Sequence, residues 1–122
     1  MVFEIKAIDH IQLAAPKGSE AEAIKFFNGI LGMDEIEKPE ELKKRGGVWF
    51  EFGTYQIHIG IEEPFSPAKK AHPAFTVESI DGLRQHLINN GIQVTEDHRI
   101  PGVVRFHTSD PFGNRLEFLE RV

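Results

Sequence analysis

Apolar and polar residues alternate in several short stretches of this chain and recur every three or four positions in two others, which predicts strands and helices in regular succession. Residues 8–14 alternate and predict a first strand. After a turn at Pro16-Lys17-Gly18, Ser19 with Glu22 three positions on has the form of a capping box, and the helix it starts carries Ile24, Phe27 and Leu31 on one face. Gly32 then supplies a residue able to take positive φ at the helix end. The charged stretch EIEKPEELKKRGG predicts a solvated loop, and VWFEF and YQIHIGI predict a hairpin around Gly53-Thr54. The segment EEPFSPAKK, with two prolines, is linker-like.

The order then starts again. A strand is expected over 72–77, a helix from about Ser79 to Asn90 with Leu83 and Leu87 inward, and a short strand near Ile92–Thr95. VVRFHTS and NRLEFLE form a second hairpin across Asp110-Pro111-Phe112-Gly113-Asn114, with Asp, Pro and Gly where a tight turn favours them. This predicts a mixed α+β fold built from a first module at 1–63, a linker at 64–71 and a second module at 72–122.

The repetition extends to residues with chemistry. His10 and His72 each open an apolar segment, His58 and Glu117 each sit inside one, and Gly32 and Gly91 each end a helix. A duplicated unit that keeps metal-competent residues in the same two places predicts one site drawing on both halves. Strand parity supports this, because it puts Ile11, Leu13, Phe50, Phe52, Ile57, Ile59, Phe75, Val77, Phe106, Leu116 and Phe118 on one face. The other face receives His10, Gln12, Trp49, Glu51, His58, His72, Thr76, Arg105, His107 and Glu117. A polar concave surface is the expected place for a site.

Composition narrows the chemistry. The chain has 122 residues, 40% of them apolar and ten of them Phe, enough for a core without staples. It has no Cys, so a bound metal would be held by nitrogen and oxygen. A net charge of −5 with scattered Lys and Arg argues against nucleic acid and anionic membranes as partners. No segment approaches the roughly 18 apolar residues of a membrane span, and the N-terminus does not read as a signal peptide. A cytoplasmic protein with a small-molecule ligand is expected.

The segments IDHIQLAAP, IKFFNGILGM, AHPAFTVESIDGL and above all DPFGNRLEFLE resemble the vicinal oxygen chelate superfamily, in its order and over almost the whole chain. That group includes glyoxalase I, fosfomycin-resistance enzymes, extradiol dioxygenases and bleomycin-binding proteins. The resemblance implies two βαβββ modules forming a cup-shaped sheet with helices outside, a homodimer, and a divalent metal (Zn, Ni, Mn or Fe). Carried over by position, it implies His10, His72 and Glu117 as ligands. His58 stands where glyoxalase I has a carboxylate, so it is a candidate fourth ligand or a base, and Glu51 is an alternative base. His107, taken as the counterpart of Glu51 in the second module, is a candidate substrate contact together with Trp49 and Arg105; Arg45 is a weaker one. His86 and His98 read as solvent-facing. The activity implied is metal-dependent lyase or isomerase chemistry on a vicinally oxygenated compound. A metal-free protein sequestering a small molecule or antibiotic, a thiol transferase and a dioxygenase remain as alternatives.

Overall fold

The alternation becomes two four-stranded sheets. The computed structural model describes residues 2–122 and divides the chain into two compact units, Met1–Glu63 and Pro64–Val122. In the first unit the elements run β1 (Ile11–Ala15), α1 (Glu20–Ala23) continuing as a π-helix (Ile24–Ile30), β2 (Asp34–Ile36), a 3₁₀ helix (Glu40–Arg45), β3 (Val48–Phe52) and β4 (Tyr55–Ile61). The sheet order is β1-β4-β3-β2, with β1 parallel to β4 and the other pairs antiparallel. In the second unit β5 (Ala74–Thr76), α2 (Ile80–Asn89), β6 (Thr95–Asp97), β7 (Val103–Ser109) and β8 (Arg115–Arg121) repeat that topology as β5-β8-β7-β6. Each unit is therefore a βαβββ module in an α+β fold.

The register assigns the faces. Ile11, Ile57 and Phe50 form one row across the first sheet, while Gln12, His58 and Trp49 form the next row on the opposite face. In the second sheet Phe75, Phe118 and Phe106 form an apolar row, and Ala74, Glu117 and His107 the adjacent polar one. The apolar rows are buried with the helices: Phe27 sits 5.4 Å from Phe50 between ring centroids, and Phe118 packs on both Phe75 and Phe106.

Local structure departs from the sequence reading in four places. The first helix widens after Ala23, with Leu31 N–H donating to the Phe26 carbonyl. That wider turn brings the consecutive residues Phe26 and Phe27 both inside and leaves Ile24 and Leu31 half-buried. The charged stretch expected to be a loop contains β2 and a 3₁₀ helix, because β3 offers a free edge to Asp34–Ile36. The strand expected near Ile92–Thr95 lies at Thr95–Asp97.

The capping box does not form either. Ser19 makes no side-chain cap, and its Oγ is buried without a partner; the Glu20 carboxylate instead accepts the Gly47 N–H at 2.8 Å. A capping serine replaced by alanine would lose about 1 kcal/mol. Ser19→Ala is instead expected to leave stability unchanged or raise it by up to ~1 kcal/mol, since it removes an unsatisfied buried hydroxyl. Urea denaturation measures this directly, and a loss of 1 kcal/mol or more would restore the cap.

Candidate functional site

Chemically able side chains collect on the polar face of each sheet. In the first unit they form a column of rings. Trp49 and His58, neighbours across β3 and β4, stack with centroids 3.8 Å apart and planes 4° apart, and His10 stacks on His58 at 4.1 Å. His10 precedes β1 and is partly exposed, with Nδ1 held 2.8 Å from the Asp9 carboxylate. His58 is buried, and its Nε2 lies 2.9 Å from the side-chain oxygen of Gln56. Burial, aided by the positive field of His10, lowers the His58 pKa, so its imidazole is neutral near pH 7. Glu51 pairs with Gln56 and Asp34 along the ladder, and Arg45 is exposed at the end of the 3₁₀ helix.

In the second unit three groups converge on one carboxylate. Oε1 of Glu117 lies 2.9 Å from Nε2 of His72 and 3.2 Å from Nε2 of His107, while Oε2 accepts a hydrogen bond from Nη1 of Arg105 at 3.2 Å. Glu117 and His107 are buried and paired across the β7–β8 hairpin; His72 reaches them from just before β5. The other terminal nitrogen of Arg105 donates to Asp97 at 2.8 Å, and Asp97 also receives Arg99. Burial opposes ionisation of Glu117, but the bonds from His72 and Arg105 outweigh it and hold its carboxyl below the usual range. Burial and then the charge of Arg115 lower the pKa of His107.

Nδ1 of His72 lies 2.8 Å from the Lys70 carbonyl, which has no hydrogen to give, so Nδ1 is the donor. A neutral ring would then aim the Nε2 lone pair at the lone pairs of a carboxylate 2.9 Å away. A cation held between the two would be attracted by both groups. The donor set fits an ion. His72, His107 and Glu117 offer one ligand atom each within 4.8 Å of one another, two imidazole nitrogens and one carboxylate oxygen. A backbone carbonyl fixing the far nitrogen is also the usual support of a ligating histidine.

The structure thus brings together His72, Glu117, His107 and Arg105 in the second unit, and His10, His58 and Trp49 in the first. Register corrects one correspondence: His107 opposes Glu117 as Trp49 opposes His58, so the counterpart of His107 is Trp49, not Glu51. From the sequence, His107 is expected to contact substrate. A five-residue turn at 110–114 places His107 opposite Glu117, and that counting was available from the hairpin itself.

Asp97 gives a test by pH. Its hydrogen bonds from Arg99, helped by the charge of Arg105, hold its carboxyl far below the ordinary range. Its contribution to stability is therefore full above the unfolded value of about 4 and fades as pH falls towards the depressed folded value. Asp97→Asn should flatten the decline of stability below pH 4 in chemical denaturation. Wild type and variant falling with the same slope would remove this pair from the account.

The comparisons extend these observations. The family model for the Glyoxalase/Bleomycin resistance protein/Dioxygenase superfamily matches residues 7–118. A solved structure from Bacillus anthracis, assigned to the glyoxalase family, is 57% identical, with a TM-score of 0.97 and 100% of both chains covered. The fosfomycin resistance protein FosX from Listeria monocytogenes shares the fold at 18% identity, with a TM-score of 0.79 over 98% of this chain and 96% of its own. A mutant of it, solved with Mn(II) and 1S,2S-dihydroxypropylphosphonic acid, gives 19% identity and a TM-score of 0.80, covering 98% and 95% of the two chains. No curated protein matches the chain. Among the described residues no helix is long and apolar enough to cross a membrane. With two βαβββ modules in the described fold and the family model covering nearly its whole length, the chain belongs to the glyoxalase, bleomycin resistance protein and dioxygenase superfamily.

Proposed function

We propose that the protein is a divalent-metal-dependent enzyme of lyase or isomerase type acting on a small compound with adjacent oxygens, with His72, His107 and Glu117 holding the ion. The observation that carries this reading is the convergence of both imidazole nitrogens on Oε1 of Glu117, with Nδ1 of His72 committed to the Lys70 carbonyl. Three protein ligands leave positions for two substrate oxygens. A bound ion would supply Lewis-acid polarisation of those oxygens. Arg105, read from the sequence as a substrate contact, has both terminal nitrogens on carboxylates of the chain and braces Glu117 so that Oε1 stays directed at the histidines. His58, buried and neutral near pH 7, is able to accept a proton, and Glu51 is the second candidate for that role. In the family's manner we take it to act as a cytoplasmic homodimer.

One observation favours a second reading, that of a metal-free binder. Trp49 lines a cavity of about 230 Å³ in the first unit together with Gln12, Leu42 and Arg45, which suits an aromatic ligand. Metal titration of chelator-treated protein separates the two. The enzyme reading expects about one Mn²⁺ or Zn²⁺ per chain. At a hundredfold excess over Kd it also expects about 2.7 kcal/mol of added stability, a rise in Tm on the order of 10 °C. No stoichiometric ion and no rise with any divalent metal would leave the binder.

A further inference from the structure

The polar face of the second unit continues past the metal group into a cavity of about 400 Å³, lined among others by Lys69, Gln93, Thr95, His107, Ser109 and Arg115. We propose that this cavity seats the anionic group of the ligand, so that the substrate is a small acid. Its vicinal oxygens would lie at the metal group and its carboxylate, phosphonate or phosphate against Lys69 and Arg115. The statement about the substrate rests on the metal reading above; the anion seat itself does not.

Charge points to an anion. Acidic residues outnumber basic ones nineteen to fourteen in the chain, yet two cations and no carboxylate line this cavity. Among the described residues neither Lys69 nor Arg115 makes an ion pair, whereas Arg84, Arg99 and Arg105 all do. An arginine fork without a carboxylate, lining the same cavity as an ammonium, is able to take an oxyanion by paired, charge-assisted hydrogen bonds. The cavity of the first unit also has two cations in its lining, and there Lys38 donates to the Gly46 carbonyl.

The backbone holds the two cations together. Arg115 N–H donates to the Ala68 carbonyl at 2.9 Å, and Ala68 N–H donates to the side-chain oxygen of Asn114 at 3.0 Å. Asn114 is 1% exposed and is anchored in turn by the buried Asp110 carboxylate, which accepts its amide at 2.8 Å and the backbone N–H groups of Phe112 and Asn114. Gly113 completes the junction against Pro67. The backbone segments that carry Lys69 and Arg115 are therefore tied to each other, and an anion in the cavity would be attracted by both cations.

Direction follows from parity. Arg115 and Glu117 project from the same face of β8, opposite Ser109 and His107 of β7. One wall of the cavity is His107 itself, so a molecule anchored at Arg115 extends towards the metal group within a single sheet. The Thr108 hydroxyl is not available to it, since it donates to the Gln93 carbonyl at 2.7 Å; Thr95 and Ser109 remain as hydroxyl partners.

The test uses chelator-treated protein, inorganic phosphate as the probe, and constant ionic strength set with sodium chloride. Amide chemical shifts are followed by NMR in wild type, Lys69→Gln, Arg115→Gln and, as a charge-matched control on the same strand, Arg121→Gln. Expected are saturable shifts at Lys69 and residues 113–115 in wild type and control, weakened about tenfold or more in each of the other two, a loss of about 1.4 kcal/mol. Dispersed spectra report that each variant folds, and Arg115→Lys should recover part of the affinity. Absence of saturation, or equal affinity in all four proteins, would overturn the anion seat. Mn²⁺ titration of the same samples keeps the two ideas apart: phosphate binding without Mn²⁺ binding upholds the seat and sinks the metal reading, and the converse sinks the seat alone.

Discussion

Glu117→Gln is expected to lower affinity for Mn²⁺ by about a hundredfold or more, with the fold intact. The substitution preserves shape but removes the negative charge on which His72 and His107 converge. It also leaves the guanidinium of Arg105 facing a neutral amide, so a half-buried cation loses one of its two carboxylates. Titration followed by electron paramagnetic resonance of free Mn²⁺ measures the loss. Arg105→Met, which disturbs the brace and not a ligand, should cost roughly tenfold to a hundredfold. A comparison of His107→Ala with His10→Ala then asks which histidine bears on the ion: the geometry expects the larger loss at His107, whereas the family resemblance expects it at His10. Wild-type affinity in Glu117→Gln would show that no ion is held by this carboxylate.

The largest effect on folding is expected at Gly47. Its φ is +88°, and a Cβ placed there would stand 2.2 Å from the Ile59 carbonyl oxygen, a backbone atom of the neighbouring strand that cannot swing aside. Gly47 leads into β3 just before Val48, which pairs with Ile59, and its N–H is the donor to Glu20. Gly47→Ala must therefore either pull β3 from β4 or break the contact with the first helix. A loss of about 3 kcal/mol or more is expected, combining the cost of a left-handed non-glycine residue with the clash. Gly18 has a similar φ of +80° but open space around it, so Gly18→Ala should cost only about 1 kcal/mol. Urea midpoints for the two variants give the comparison, and equal midpoints would refute the steric argument.

How much of this was legible beforehand depends on the range of the interaction involved. Alternation and helical spacing are local, so the strand–helix–strand order of both modules, the two hairpins and the polar face were readable from the residues alone. The π-helical turn was not readable, because Phe27 packs on the Phe50 ring of a strand distant in sequence and Phe26 packs edge-on against Phe27. Strand β2 was not either, since DEI has no strand pattern of its own and pairs because β3 presents an edge. Ser19 followed by Glu22 has the form of a cap, but Glu20 found a partner in Gly47, far along the chain, and took the helix start with it.

The candidate site divides in the same way. Sequence by itself determined the resemblance to the family, the strand–helix–strand order of each repeat and the residue types able to meet a metal, because motifs, repeat spacing and strand parity are properties of the chain. Only the tertiary structure decided which of them converge. It set His107 opposite Glu117 through the register of a five-residue turn, brought His72 in from the approach to β5, stacked His10 on His58, and turned Arg105 from a free cation into the brace of a carboxylate. Those outcomes depend on which strands lie side by side and in what register, and that is fixed by burial of the apolar rows rather than by the polar residues that carry the chemistry.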